Sequence, residues 1–543
     1  MSASVDGEGA DGEANPDESS GLLEDPPSWV ELRDHVERQL KKFSIQSVAD
    51  SVMDDLWEDR PAPDQLKALP WLALLIAKWS LQLGSTIRVG RKLPKDLLLL
   101  LKRALWDGND RAFVERTARH EAEFGLDRPQ PLSIMMRIAL ATQMQFQRQE
   151  IWGLYRTAGL IRPLDANHRS KRIFREQIGL EVEEFIDGCI FLYTLANRDG
   201  ARELNAVDVE HFKPMRDGMI RKVLALMSRS LPDLRLELLQ EAPMKGSRSR
   251  ELYVFPVFKR FPLLRTRQGR YWCWHRSVLD RYMDEAVHLE LSKAGQKYAD
   301  SFSMVFEKYV VDQSQRLGFP LTTAQQYLDA YGRGEKIKNV EAVVTHGNRR
   351  LLIESKMGLF PDDVLFQETE LGNRGKLKRV LEAVEQGQTV SHKLATSHPE
   401  DQEHYLIVVT SRDLVIGTGL FLEDMCGPGS LAAPVGTEGN LLPLNHMFVL
   451  SIDEFERLVE FVASGRLSLF DQVASAAKSS RNLAGCAFNF SSFYPKELAG
   501  IGQRIRMPAF IAAEHRAAMD RLSLALEAHQ TVHRPQPPGS ADT

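Results

Sequence analysis

The segment Val340–Lys356 constrains this chain more than any other. Two β-branched, apolar runs flank Gly347-Asn348, a dipeptide suited to a tight hairpin turn. With those residues as the turn, Glu341 lies directly opposite Glu354. Side chains paired in this way sit about 5 Å apart at Cβ, on one face of the sheet. The two-residue period of a strand places Lys356 on that face too, one step beyond Glu354. Two facing carboxylates repel, so a sheet gains nothing from them unless a cation lies between. A divalent metal with oxygen ligands is the natural occupant, and a neighbouring lysine suits phosphate chemistry. A solvated, charged strand pair is the plain alternative. Against it, Val340, Ala342, Val344, Leu351 and Ile353 make the opposite face apolar, while Val343 and Leu352 share the acidic face. A sheet covered on both sides shelters its acids.

Glu354-Ser355-Lys356 ending an apolar strand, with an acid on the strand before it, resembles the PD-(D/E)XK nuclease superfamily. The resemblance implies a core of one helix, three strands, a second helix and a further strand. Matching parts are expected here. Tyr298–Leu317 reads as a helix carrying Glu307, where the superfamily often has a further metal-linked acid. Leu377–His392 reads as the second helix and His404–Thr410 as the buried strand after it. By resemblance, Glu341 and Glu354 would hold Mg²⁺ or Mn²⁺, with Glu307 assisting and Lys356 orienting or activating water. Gln386 would assist from the second helix, where Gln388 competes for the role. The family usually has Asp at the first acidic position. Glu341 reaches roughly 1.5 Å further, which keeps a second reading open: a catalytically inactive nuclease fold that binds nucleic acid or assembles with partners.

Composition bounds the remainder. With 543 residues and 43% apolar content the chain has material for two or three domains. The formal charge of −5 is set by residues 1–27, whose eight acids are accompanied by no Lys or Arg; without them 69 basic residues face 66 acidic ones. That tail reads as disordered, and with no cationic start or apolar run it does not read as a signal peptide. Leu69–Leu83 is too short for a bilayer span and is interrupted by Lys78. Cys189, Cys273, Cys426 and Cys486 show no metal-binding or disulfide spacing, which points to a reducing cytoplasm.

Residues 28–240 read as a helical domain, with helical periodicity over Trp71–Leu83, Lys95–Trp106, Ser133–Leu154, Phe174–Leu195 and Val207–Ser230. By analogy such a domain recognises a target or a protein partner. Residues 241–295 form a basic connector. Lys245–Arg276 has nine basic side chains, Arg265, Arg267 and Arg270 among them, against the single acid Glu251, with seven aromatic rings interleaved. Leu252–Phe258 alternates like a short strand. The connector is either a nucleic-acid surface, where cations hold phosphates and rings stack bases, or a β-rich link whose rings form core. Arg374 and Lys376, ahead of the second helix, are further candidates for steadying a nucleic-acid backbone.

Residues 296–470 are the nuclease-like domain, and 471–543 a helical extension with a loose end. Asn445–Leu450 reads as a last strand, Glu454–Ala463 as a helix capped by Ser451 or Asp453, and Ala509–Ala528 as the final helix. The expected fold is α/β: a restriction-endonuclease-like C-terminal domain after a mostly helical N-terminal one. The resemblance implies a Mg²⁺-dependent endonuclease acting on DNA in preference to RNA, in the manner of defence proteins that attack foreign DNA; the cysteine spacing and the short apolar stretches add the expectation of a cytoplasmic protein with no membrane partner.

Overall fold

The computed structural model describes residues 29–58, 70–84, 92–108, 151–197, 203–204, 215, 218–240, 256–332, 337–357, 370–400, 403–431, 441–499 and 507–533. The expectations for the acidic tail, for residues 133–150, for Tyr253 and Phe255 and for the extreme C-terminus lie outside them.

The architecture is mixed α/β, with helices in both halves and a six-stranded mixed sheet in the C-terminal part. In chain order the strands of a small sheet are β1 (Glu203–Leu204), β2 (Ser228–Arg229), β3 (Leu263–Arg265) and β4 (Tyr271–Cys273). Those of the large sheet are β5 (Leu321–Thr323), β6 (Ala342–His346), β7 (Arg349–Lys356), β8 (Glu403–Thr410), β9 (Gly417–Thr418) and β10 (Met447–Ser451). The large sheet runs β5-β6-β7-β8-β10-β9. β6 runs antiparallel to both β5 and β7, β8 lies parallel to β7 and β10 parallel to β8. A helix, Gln296–Gln315, precedes this run, and another, Lys378–Ser397, crosses from β7 to β8. The expected order of helix, three strands, helix and strand appears with two additions, a helix Ala324–Tyr331 between β5 and β6 and a short helix Glu370–Lys376 ahead of Lys378–Ser397.

The hairpin forms in the expected register, with Ala342 paired to Ile353 and Val343 to Leu352. Gly347 takes φ of 60° and Asn348 keeps a negative φ, so glycine occupies the one turn position that requires a left-handed backbone. Both sheet faces are covered. Ala342, Val344, Leu351 and Ile353 join a core with Phe302, Phe306 and Val310 of the Gln296–Gln315 helix; that core continues into Phe185, Ile190 and Val223 of the helical half. Val343, Leu352 and Val408 face Val380, Ala383 and Val384 of the Lys378–Ser397 helix. Val340 packs on this second side, because β6 begins only at Ala342 and the chain bends at Glu341, which interrupts the alternation.

Several elements differ from the sequence reading. Phe174–Leu195 is two helices, Arg169–Ile178 and Val182–Asn197, separated where Gly179 takes φ of 73° and caps the first in a left-handed conformation. The described end of Val207–Ser230 is a helix, Met219–Met227, that passes into β2. The end of the expected strand Leu252–Phe258 is a short helix, Pro256–Arg260, opened by proline at the position where its missing N–H costs nothing. In the connector, Phe258, Phe261, Tyr271 and Trp274 are core residues. Ser451 is the cap of Ile452–Ala463, through a capping box with Glu454. Among the described residues no helix is long and apolar enough to cross a membrane, and all four cysteines are free.

A buried polar network ties the helical half to the helix that carries Glu307. From Trp152–Ile161, Arg156 donates Nε and Nη2 to the two oxygens of Glu456, each at 2.6 Å, and Nη2 to Asp453 at 2.5 Å. The Tyr309 hydroxyl, on the Glu307 helix, donates to the same Glu456 at 2.6 Å. Arg156 and Glu456 are fully desolvated, so each depends on the other for its charged state.

Candidate active site

Glu341 stands at the start of β6, one register step before Ala342–Ile353, which sets it opposite Glu354 on β7. Glu354 is buried, at 2% exposure; Glu341, Lys356 and Glu307 are half-buried. The Ala324 amide donates to the Glu341 carbonyl at 3.1 Å, which anchors this end of the hairpin.

The carboxylates lie near enough to act on one another's charge. Burial pushes the Glu341 carboxyl up to about 8; the charges of Glu354 and then Glu307 push the same way, while Lys356 and a hydrogen bond from Ser355 oppose them. Burial also raises Glu354, with Glu307 adding to it; the Lys356 ammonium and the Glu341 backbone hold it down. Such a pair of acids is kept together by the fold against its own repulsion.

Lys356 is held between two elements. Its ammonium donates to Glu354 Oε1 within the strand and to Gln386 Oε1 at 3.0 Å. Gln386 gets there because its helix lies tight on the sheet: a Cβ at the adjacent Gly387 would come within 2.7 Å of the Leu406 side chain on β8. The competing Gln388 points elsewhere and donates to the Leu431 carbonyl at 2.9 Å. Five residues singled out in the sequence, Glu307, Glu341, Glu354, Lys356 and Gln386, thus act on one another in one place. Ser355 was not foreseen. Its hydroxyl approaches Glu341 Oε1 at 3.5 Å from a residue that strand alternation assigns to the other face. Only the bend at Glu341 makes this approach intelligible, and a bend leaves no mark in the apolar pattern.

The donor set is all oxygen, which fits a hard divalent cation and not zinc. Among the described residues no three His, Cys, Asp or Glu side chains converge as a ready-made metal cage. Mg²⁺ is commonly held by one or two carboxylates, with water and substrate phosphate completing its shell, and two is the number that Glu341 and Glu354 would supply.

The remaining candidates lie apart from this cluster. Arg265, Arg267 and Arg270 are exposed on the β3–β4 hairpin. Arg265 pairs with Asp233 at 3.2 Å and Arg270 with Glu203 at 2.7 Å. Arg374 donates to the Cys426 carbonyl at 2.5 Å and so caps the end of the Gly419–Cys426 helix. Lys376 ends the short helix Glu370–Lys376.

Comparison with known proteins adds no further guide: no family model, curated protein or solved structure matches this chain.

Proposed function

We propose that this protein is a metal-dependent nuclease of the PD-(D/E)XK type that hydrolyses phosphodiester bonds of nucleic acid, DNA in preference to RNA. The observation that carries the proposal is the convergence of Glu341, Glu354 and Lys356, with Glu307 and Gln386 beside them, at the carboxyl end of β7. The order of helices and strands around the site supports the same reading.

Glu341 and Glu354 would hold a divalent cation, which when bound lowers the pKa of water and offsets charge building on the phosphorane-like transition state. Glu354 holds the Lys356 ammonium in place, and Gln386 fixes its direction from the neighbouring helix. Lys356 can then orient the attacking water and donate toward the scissile phosphate. Glu341, sheltered and pushed up to about 8, would have to give up its proton to serve as a ligand.

The test is cleavage of plasmid DNA and of RNA in Mg²⁺ or Mn²⁺ by the wild type and by Lys356→Ala. The wild type should cut, and the variant should lose on the order of 10²–10⁴-fold in rate while binding substrate normally. A wild type that binds nucleic acid but cuts nothing in either metal would make this an inactive member of the fold.

A further inference from the structure

A second charged cluster, assembled from segments far apart in the chain, borders the proposed active site. Thr410, at the end of β8, pairs with Lys356, and the next amide, Ser411, donates to the Lys356 carbonyl at 3.2 Å. Arg412 therefore starts at most about 7 Å of chain beyond the catalytic register. Its carbonyl is gripped by the Thr410 hydroxyl at 2.7 Å, and its guanidinium turns onto Glu285 of the Arg276–Leu291 helix. Glu285 also receives Lys259 at 2.6 Å and Arg281 at 3.0 Å. Three cations from three segments thus meet on one carboxylate.

The arrangement is not what stability alone favours. The four side chains keep only 10–16% of their exposure, and cations crowded in a sheltered place repel. Burial first, and Arg281 second, lower Arg412 to about 9 against the opposing charge of Asp284, which leaves the three cations still in excess of the two acids beside them. The loop that presents Arg412 is strained as well. Val415, a buried β-branched residue, takes φ of 51°, a conformation that persists only where the surroundings force it and that gathers at functional sites. An anion entering here would relieve the repulsion, and guanidinium pairs are well shaped for phosphate oxygens.

We infer that Lys259, Arg281 and Arg412 form a phosphate-binding site that grips the nucleic-acid backbone next to the scissile bond, with Glu285 holding the three cations in position until the strand arrives. This rests on the nuclease reading for its ligand. Arg265 and Arg270 of the β3–β4 hairpin, by contrast, face acids of their own and are not needed for the grip.

The test measures binding of labelled duplex and single-stranded DNA by the full-length protein in EDTA, where no cutting occurs, as a function of salt. Each lost phosphate contact should flatten the slope of log K against log salt by roughly 0.9 on duplex and 0.7 on single strands. Arg281→Gln with Arg412→Gln should remove about two contacts, and Arg412→Lys should restore most of the slope. Should the double variant fail to fold, Lys259→Gln alone should remove about one contact. An unchanged slope in a folded variant overturns the site. So does a wild type that binds no nucleic acid yet is stabilised by inorganic phosphate through these residues, since the ligand would then be a small anion. A steep slope lost in the variants, with no cleavage in Mg²⁺, would keep this site and remove the nuclease reading; cleavage with unaltered slopes would do the reverse.

Discussion

The acidic hairpin and the basic connector both announce themselves in the sequence by charge, yet the fold treats them in opposite ways. In the hairpin, Glu341 and Glu354 act on each other's charge while half or fully buried, and Glu341 is displaced to about 8 because nearby cations do not cancel the cost. In the connector, Arg265 and Arg270 lie on the surface and meet Asp233 and Glu203, supplied from distant segments. Arg229 and Glu237 line the same recess as Arg265 and Asp233 and pair with each other at 3.3 Å. The rings that flank those arginines, Phe258, Phe261, Tyr271 and Trp274, are used as core. Charge density in a sequence thus marks a candidate; what separates a site from a decorated surface is whether packing leaves the charge uncompensated.

Glu341 offers the largest effect by which to break this contrast. Glu341→Gln keeps the shape and loses the charge, so Mg²⁺-dependent cleavage should fall by about 10³-fold or more, whereas Glu341→Asp should retain measurable activity. Cleavage by the Gln variant at the wild-type rate would remove Glu341 from the site. The same substitution should have a smaller, opposite effect on stability. The ordinary value for Glu341 is 4.5 and the folded value about 8, so between those limits the folded protein holds a proton that the unfolded chain has released. Metal-free stability should therefore fall as pH rises through that window and level off above about 8. Glu341→Gln should abolish that fall and make the metal-free protein more stable at pH 8 by roughly 1–3 kcal/mol. Denaturant melts across pH in EDTA would show it, and parallel pH profiles for the two proteins would contradict the buried repulsion.

The smallest effect is expected in the connector. Replacing Arg265 and Arg270 together by Ala breaks two exposed pairs, each contributing about 0.2–1 kcal/mol, so the melting curve should hardly move. If the contrast is right, the salt slope of DNA binding should also change less than in the Arg281→Gln, Arg412→Gln double variant. A larger change would sharpen the connector into a genuine nucleic-acid surface.

The hairpin was readable from sequence because its information is local. Gly347-Asn348 fixes the turn, the turn fixes the register, and the two-residue period assigns Glu341, Glu354 and Lys356 to one face. The helices around it were readable from apolar spacing to within a few residues. Choosing Gln386 over Gln388 was not possible, since both lie in one helix and only the tight seat of Gly387 on Leu406 decides which reaches Lys356. The break at Gly179 was visible as a glycine but masked by apolar residues that keep helical spacing on both sides of it. The fate of the connector was illegible for a different reason. The partners of its arginines, Glu203 and Asp233, and the Glu285 that gathers Lys259, Arg281 and Arg412 are brought in by tertiary folding, on which local pattern is silent.

The central claim, that the repulsion between Glu341 and Glu354 exists to be relieved by a divalent cation, is tested most directly by thermal unfolding in increasing Mg²⁺ or Mn²⁺, comparing the wild type with Glu354→Gln. Binding to the folded state alone should stabilise the wild type by about 2.7 kcal/mol when the metal reaches a hundred times its dissociation constant, and the gain should grow as pH approaches 8. Glu354→Gln should melt cooperatively and show almost no metal-dependent shift. An equal shift in both proteins would mean that the cation binds elsewhere and that the facing carboxylates are not its site.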